Sequence, residues 1–373
     1  MQYTATCLFG LESLLGAEID ALGYRRLSTI DGRVTFEGDP AAAARANINL
    51  RYAERVYLTL GTFPAPTFTA LFDGTAALPW EDYIGRNDMF PVKGHAIKSA
   101  LFSVPDCQKI VKKAIAGRLG RHYGLSMLPE SGIKYQIEFF ILRDTASLMI
   151  DLSGAPLHKR GYRPESVAAP LRETLAAGLA AFARPREDVV LCDPFCGSGT
   201  IAIEAVMQML HMAPGVRRSF PSEAYPVFPT PLWRAAREEA RDSVLRDSSF
   251  TAWASDIDPE CIRVAKEAAE RAGVAGHIRF SVSDARDLET EGVRGTIVTN
   301  PPYGERLMSP ADAEALYREI GVSFRRLGKW QMYILTPCES FERLFGRRAD
   351  KVRKLYNGMI PCLYYQFFKT KPE

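Results

Sequence analysis

The sequence contains no run of about 18 consecutive apolar residues, which excludes an ordinary membrane-crossing helix. Its first residues, Met1-Gln2-Tyr3-Thr4-Ala5-Thr6-Cys7, lack a basic region followed by an apolar stretch, so no signal peptide is expected and the chain is assigned to the cytoplasm. The seven cysteines (Cys7, Cys107, Cys192, Cys196, Cys261, Cys338 and Cys362) are odd in number and form no CxxC pair. The five histidines show no metal-ligand spacing. These features argue against a disulfide framework and a structural metal, leaving reduced, mostly buried thiols. Net charge is only +3, too small for bulk electrostatics to argue for nucleic acid. Repeats and low-complexity tracts are missing as well. What is present is 373 residues with 47% apolar content, enough for two or three domains with sizeable cores.

Residues 1 to about 60 alternate strand (Tyr3–Phe9), helix (Leu11–Leu22), strand (Arg33–Glu37) and helix (Pro40–Ile48). Leu11, Leu14, Leu15, Ile19 and Leu22 share one helical face, and Gly23 supplies a stop. Residues 66–150 repeat the style, with helices over Phe68–Leu78 and Cys107–Tyr123 and strands over His95–Ser99, Tyr135–Leu142 and Ala146–Asp151. Both stretches read as α+β. A basic connector, 155–165, precedes strict β/α alternation. Helix Leu171–Ala183, strand Val189–Cys192 and helix Thr200–Met209 come first. Strand Thr251–Ser255, helix Pro259–Ala272 and strands Ile278–Ser281 and Gly295–Thr299 follow. Helix Ala311–Leu327 and strands near Gln331–Leu335 and Leu363–Phe368 complete a doubly wound, mostly parallel α/β sheet. Residues 214–231, with five prolines, read as an irregular insertion.

The strand Val189–Cys192 runs into Asp193-Pro194-Phe195-Cys196-Gly197-Ser198-Gly199-Thr200. An open α/β sheet binds ligands at the carboxyl ends of its strands, and Gly197 and Gly199 let backbone approach a ligand. No lysine follows the turn, so it is not a P-loop. Asp193 would repel phosphate but suits a cation, which favours S-adenosylmethionine with its ammonium and sulfonium. The next strand ends in Asp256-Ile257, a carboxylate for two ribose hydroxyls followed by an apolar face for adenine. The strand after it ends in Asp284-Ala285, where a carboxylate could accept from the adenine amine. Any one of these acids could be a helix cap or a solvated loop residue. Three acids at consecutive strand ends are harder to dismiss.

Thr299-Asn300-Pro301-Pro302-Tyr303-Gly304 follows the fourth strand. Two prolines stiffen the backbone, so Asn300 and the Pro301 carbonyl can be rigid acceptors for the two N–H groups of an exocyclic amine. Tyr303 can stack on a base taken out of its helix. Taken alone, Asn-Pro-Pro-Tyr could equally be a turn; after the glycine turn and the ordered acids, the catalytic reading dominates.

These stretches resemble class I methyltransferases of the amino-methylating kind, and more closely the bacterial RlmL/YpsC-type RNA methyltransferases that carry an N-terminal THUMP domain. The similarity rests on 157–163 (Leu-His-Lys-Arg-Gly-Tyr-Arg), Ala169-Pro170-Leu171-Arg172, 193–205, 255–258 and 300–306, and its layout extends over the chain. It implies a ferredoxin-like segment at 1–65, a THUMP RNA-binding domain at 66–155 and a Rossmann-like class I methyltransferase domain at 156–373. It also implies that Pro170 and Leu171 pack on the methionine end of the cofactor. Activity implied by the resemblance is N2-methylation of a guanine in 23S ribosomal RNA. Longer members fuse a second methyltransferase domain, which these residues do not contain.

Together the expected cofactor set is Pro170, Leu171, Asp193, Phe195, Gly197, Gly199, Thr200, Asp256, Ile257, Asp284, Ala285 and Asn300. The expected catalytic set is Asn300, Pro301, Pro302 and Tyr303. Basic residues gather at Lys109, Lys112, Lys113, Arg118 and Arg121, at Lys159, Arg160 and Arg163, and at 347–354. Of these, Lys109, Lys112, Lys113, Arg160 and Arg163, with Arg306 beside the catalytic motif, are the expected contacts to a structured RNA, 23S ribosomal RNA or a ribosomal precursor. Solvated helix faces explain such clusters as readily, taken singly. Two other readings stay open: an adenine-N6 methyltransferase on RNA or DNA, and an RNA-binding assembly protein with a vestigial fold.

Overall fold

The computed structural model describes residues 1–163, 171–303 and 309–368. They fall into two units: Met1–Thr6 with Gly16–Leu157 and Arg217–Glu239, and Cys7–Leu15 with His158–Val216 and Ala240–Glu373.

The first unit is built on a seven-stranded sheet. Its elements are β1 (Gln2–Cys7), α1 (Glu12–Ala21), β2 (Arg25–Ile30), β3 (Arg33–Glu37), α2 (Ala41–Asn49), β4 (Ala53–Pro64), α3 (Phe68–Ala77), β5 (Val92–Ile97), α4 (Val104–Tyr123), β6 (Ile137–Leu142) and β7 (Thr145–Asp151). The strand order is β2-β3-β1-β4-β7-β6-β5. The twelve-residue β4 is shared by both halves, neighbouring β1 and pairing antiparallel with β7. Sequence patterning missed β4 and β2. All six residues of β2 are exposed, as befits an edge strand with no buried face to generate alternation. Helix α4 starts with Pro105 in its first turn and ends on Gly124 at φ 64°, a left-handed cap. It buries Cys107, Val111, Ala114, Ile115 and Leu119, one face at helical spacing.

Helix α5 (Glu173–Phe182), strand β8 (Val190–Asp193) and helix α6 (Thr200–Met209) open the second unit. The proline-rich insertion at 214–231 holds one short 3-10 turn, Pro221–Ala224, and helix α7 (Thr230–Asp242), which sequence patterning did not anticipate, begins at its end. Residues 217–239 group with the first unit, unlike the rest of the 156–373 stretch. Tyr225 stacks on Tyr135 at 4.1 Å, Ser222 donates to the Leu152 carbonyl, and Arg218 donates to those of Ala155 and Pro156.

The second unit continues with β9 (Ala252–Asp256), α8 (Pro259–Ala272), β10 (Ile278–Val282), β11 (Gly295–Thr299), α9 (Pro310–Arg325), β12 (Gln331–Thr336), α10 (Phe341–Phe345), β13 (Lys351–Asn357) and β14 (Ile360–Phe367). Strand order is β10-β9-β8-β11-β12-β14-β13. Strands β10 to β12 in this order pair in parallel, and β14 and β13 close the edge antiparallel. Its core packs Ile297, Ile320, Phe324, Phe341, Phe345, Tyr365 and Phe367 under the β11-β12-β14 side. The chain reverses direction across the sheet between β8 and β11. Such a switch point leaves a crevice at the strands' carboxyl ends.

Candidate active site

The crevice collects the expected acids. Asp193 ends β8, Asp256 ends the neighbouring β9, and Asp284 follows β10. On the other side of β8, β11 delivers Asn300 directly after Thr299.

Asp193 is 1% exposed and accepts from the Thr299 hydroxyl at 2.6 Å and from the Phe195 N–H at 3.2 Å. Burial, the dominant cause, pushes its carboxyl up to about 7. Asp256 uses one oxygen to accept from the Gly197 N–H at 2.9 Å and the other from the Asp258 N–H at 3.1 Å. Each oxygen retains a second acceptor site. Gly197 lies at φ +50°, and a Cβ there would meet nothing within 4 Å, so open space lies over the turn. Gly199, at φ +75°, serves packing: a Cβ would sit 3.0 Å from the Ala265 methyl on α8. Ile257 is 67% exposed, an apolar side chain left bare beside the Asp256 carboxylate.

The remaining cofactor candidates divide. Leu171 and Phe195 are half-buried, whereas Ala285 is buried within the hydrophobic core. Thr200 is buried, its hydroxyl accepting from Arg163 at 3.2 Å and lying 3.1 Å from that of Ser198. The Asp284 carboxylate is held by Arg286 through contacts of 2.9 and 2.5 Å, and this pairing drives its pKa below the ordinary value. Pro170 lies outside the described residues.

Asn300 carries the most telling atom. Its Oδ1 is buried and has no hydrogen-bond partner among the described residues. Leaving such an acceptor unmet costs about 1–3 kcal/mol, so an unpaired one at a crevice marks a place prepared for a donor. Three struts hold the motif around it. Thr299 binds Asp193 as above. The buried Tyr317 on α9 donates to the Pro302 carbonyl at 3.0 Å while contacting the Thr336 hydroxyl at 3.0 Å. Asn357, at the end of β13, donates to the Tyr303 hydroxyl at 3.0 Å. Pro301 is buried among them. Sequence reasoning assigned no role to Thr299, Tyr317 or Asn357. Thr299 stood inside the quoted motif, whereas the other two reach it only through sheet order.

Two of the expected RNA contacts, Arg160 and Arg163, are corrected. Arg160 is 6% exposed, its Nε 3.3 Å from the buried Glu204, to which the Tyr162 hydroxyl also donates. Arg163 donates to the Leu171 carbonyl at 2.7 Å and reaches Glu173 at 3.6 Å, tying down the approach to α5. Arg160 and Arg163 thus anchor α5 and α6 rather than presenting their charge to phosphates. Lys112 is engaged by Glu130 at 2.6 Å and by the Phe90 ring at 3.6 Å. Arg118 is likewise committed, to Glu81. Lys109 and Lys113 remain exposed. Lys113 and Arg121 flank an open groove of about 520 Å³ floored by Gly117, Gly120 and Gly124. Arg306 lies outside the described residues.

These features fit a cofactor with a nucleoside and a cationic amino-acid end: bare Ile257, spare acceptor capacity on Asp256, open space over Gly197, and a buried carboxyl at Asp193. The RMKL-like methyltransferase domain model matches residues 160–366.

The chain belongs to this family.

The RlmL ferredoxin-like domain matches 2–57 and the THUMP domain 65–151. Among relatives, YpsC of Bacillus subtilis (strain 168), a protein named for RNA methyltransferase activity, is 44% identical over 99% of this chain and 96% of its own length. The ribosomal RNA large subunit methyltransferase K/L of Psychromonas ingrahamii is 32% identical over 95% of this chain, which spans only 48% of that protein. Among solved structures, a methylase candidate from Clostridium difficile 630 is 44% identical with TM-score 0.96, covering 100% of this chain and 99% of that one. A Listeria monocytogenes (strain 4b F2365) protein named by prediction as an N6-adenine-specific DNA methylase is 45% identical with TM-score 0.92, covering 98% and 95%. The methyltransferase SMU.472, complexed with S-adenosylhomocysteine, is 37% identical with TM-score 0.93, covering 100% and 99%. The chain is an S-adenosylmethionine-dependent methyltransferase with ferredoxin-like, THUMP and Rossmann-like methyltransferase domains. No helix among the described residues is long and apolar enough to cross a membrane.

Proposed function

We propose that this methyltransferase methylates the exocyclic N2 amine of a guanine in 23S ribosomal RNA, and that its domains divide at 1–65, 66–155 and 156–373. The unpaired Asn300 Oδ1 carries the amine assignment. The THUMP match and the names of the YpsC and K/L relatives support an RNA, and the K/L relative supports the large ribosomal subunit.

When bound, S-adenosylmethionine supplies an electrophilic methyl group on a sulfonium. Asp256 would accept from the ribose hydroxyls, Ile257 would cover one adenine face, and Asp193 would face the cationic end. Asp284 retains acceptor capacity for the adenine amine beside Arg286. Asn300 Oδ1 and the Pro301 carbonyl accept the two N–H groups of the target amine, turning its lone pair toward the methyl carbon. Tyr303 stacks on the base, its hydroxyl fixed by Asn357. Methylation makes the amine acidic, so its extra proton is lost afterwards without a dedicated strong base.

Asp256→Ala is expected to weaken cofactor binding by about 1–3 kcal/mol, measured by calorimetry; unchanged affinity removes the ribose assignment. Asp193 predicts a pH dependence. Its raised pKa means that stability supplied by the protonated carboxyl is lost as pH rises through about 7, and a bound cation recovers it. Cofactor affinity is therefore expected to fall as pH drops below about 7, with a proton released on binding in that range. Asp193→Asn should flatten the profile. A pH-independent wild type would place Asp193 away from the cation.

The adenine reading remains the second one, because the Listeria relative's name invokes N6-adenine on DNA and the motif recognises an amine rather than a particular base. Offering ribosomal RNA and duplex DNA side by side with labelled cofactor tests the polymer: label in RNA is expected, and label in DNA alone would overturn the RNA assignment.

A further inference from the structure

The tip of the β13–β14 hairpin stands one hydrogen bond from the catalytic motif, because Asn357 donates to the Tyr303 hydroxyl. It carries Tyr356, the turn residue Gly358 at φ +66°, and Met359, which is 94% exposed. Against it lies Phe9, from the turn before α1, 53% exposed and edge-on to Tyr356 with ring centroids 5.8 Å apart. Gly10 explains why Phe9 stands there. At φ +93° a Cβ would come within 2.7 Å of Leu355 Cδ2 and 3.1 Å of the Lys354 carbonyl. The turn is therefore pressed onto β13, and Phe9 projects from a pinned backbone. Exposed Lys354 places its ammonium 5.7 Å from the Tyr356 ring, and exposed Lys351 is on the same strand.

The geometry points to a stacking lip for an unpaired nucleotide next to the target base. Phe9, Tyr356 and Met359 supply apolar faces, and Lys354 supplies charge for the adjoining phosphate. This rests on the reading that the substrate is RNA. A base whose amine reaches Asn300 has left its stack, so its neighbour loses a stacking partner that an exposed aromatic replaces. A sequence-tolerant platform of this kind needs ring faces beside cations, which is the combination at the hairpin tip. An uncharged protein partner would gain nothing from the lysines. Lys351, Arg353 and Lys354 form a basic run in the sequence, and only the fold brings the distant Phe9 against Tyr356 on the same strand.

The test uses the full chain, with S-adenosylhomocysteine present, and a fluorescein-labelled single-stranded RNA of about 12 nucleotides alongside its duplex. The single strand is expected to bind more tightly than the duplex. Phe9→Ala and Met359→Ala each weaken single-strand binding, by about tenfold for Phe9, while Phe9→Trp restores it and cofactor affinity stays unchanged. In turnover with ribosomal RNA, Phe9→Ala raises KM and leaves kcat within about twofold, as loss of uniform binding requires. Lys354→Ala lowers the salt dependence of binding by about one phosphate contact. Wild-type RNA affinity in both alanine variants overturns the lip. So does a change in oligomeric state without loss of RNA affinity, which would make the surface a contact between copies of the chain. Turnover on RNA with unaltered KM removes the lip and leaves the activity standing. Lost single-strand binding in a chain that methylates no RNA keeps the lip and removes the activity.

Discussion

Asn300→Ala is expected to lower methyl transfer by about a hundred- to a thousandfold, the usual cost of removing one preorganised polar contact to a reacting group. Cofactor affinity should stay close to wild type. The buried, unpaired Oδ1 has no described partner inside the protein to lose, so its removal should not destabilise the fold. The loss should appear in kcat at saturating RNA and cofactor, because the contact acts on the orientation of the lone pair. Asn300→Asp separates charge from geometry: it keeps an acceptor in place and should retain more activity than alanine. Equal losses of turnover and cofactor binding in Asn300→Ala would show that Asn300 supports the cofactor pocket rather than the reaction.

Arg160→Met is expected to destabilise the protein by about 3–5 kcal/mol, because it leaves the fully buried Glu204 without its cation. On a domain of this size that corresponds to a fall in Tm of roughly 10 °C. The double variant Arg160→Met/Glu204→Leu should recover most of the loss, since replacing both partners removes the uncompensated charge. The prediction distinguishes two roles for the Leu157–Arg163 segment. A phosphate-binding Arg160 would leave Tm unchanged and lower RNA affinity, whereas a buried strut does the reverse. Thermal melts of the three proteins decide between them; equal Tm values would contradict the strut.

The contrast between Arg160 and Asp193 shows what the sequence could and could not reveal. Strand-end acids were readable because a parallel sheet converts order along the chain into position in space: Asp193, Asp256 and Asp284 each follow a strand, and adjacent strands bring them to one edge. Strand β11 was readable to the residue, Gly295–Thr299, because burial of all five residues leaves a continuous β-favouring run ended by Asn-Pro-Pro. Strands β2 and β13 were not, since edge strands expose polar residues on both faces and lose the two-residue period. Missing β13 also hid Asn357 and its bond to Tyr303. The basic connector misled for a different reason. Charge composition cannot distinguish an arginine facing solvent from one facing Glu204, which is 44 residues away along the chain. Tyr317 and its bond to the Pro302 carbonyl likewise depend on how α9 packs, which no local pattern encodes.

The most direct test of the central claim is nucleoside analysis of ribosomal RNA, purified from cells lacking this protein and then treated with the pure enzyme and labelled S-adenosylmethionine. The account predicts label in N2-methylguanosine of the large-subunit RNA, abolished by Asn300→Ala. Label in N6-methyladenosine instead, with N2-methylguanosine unlabelled, would contradict it.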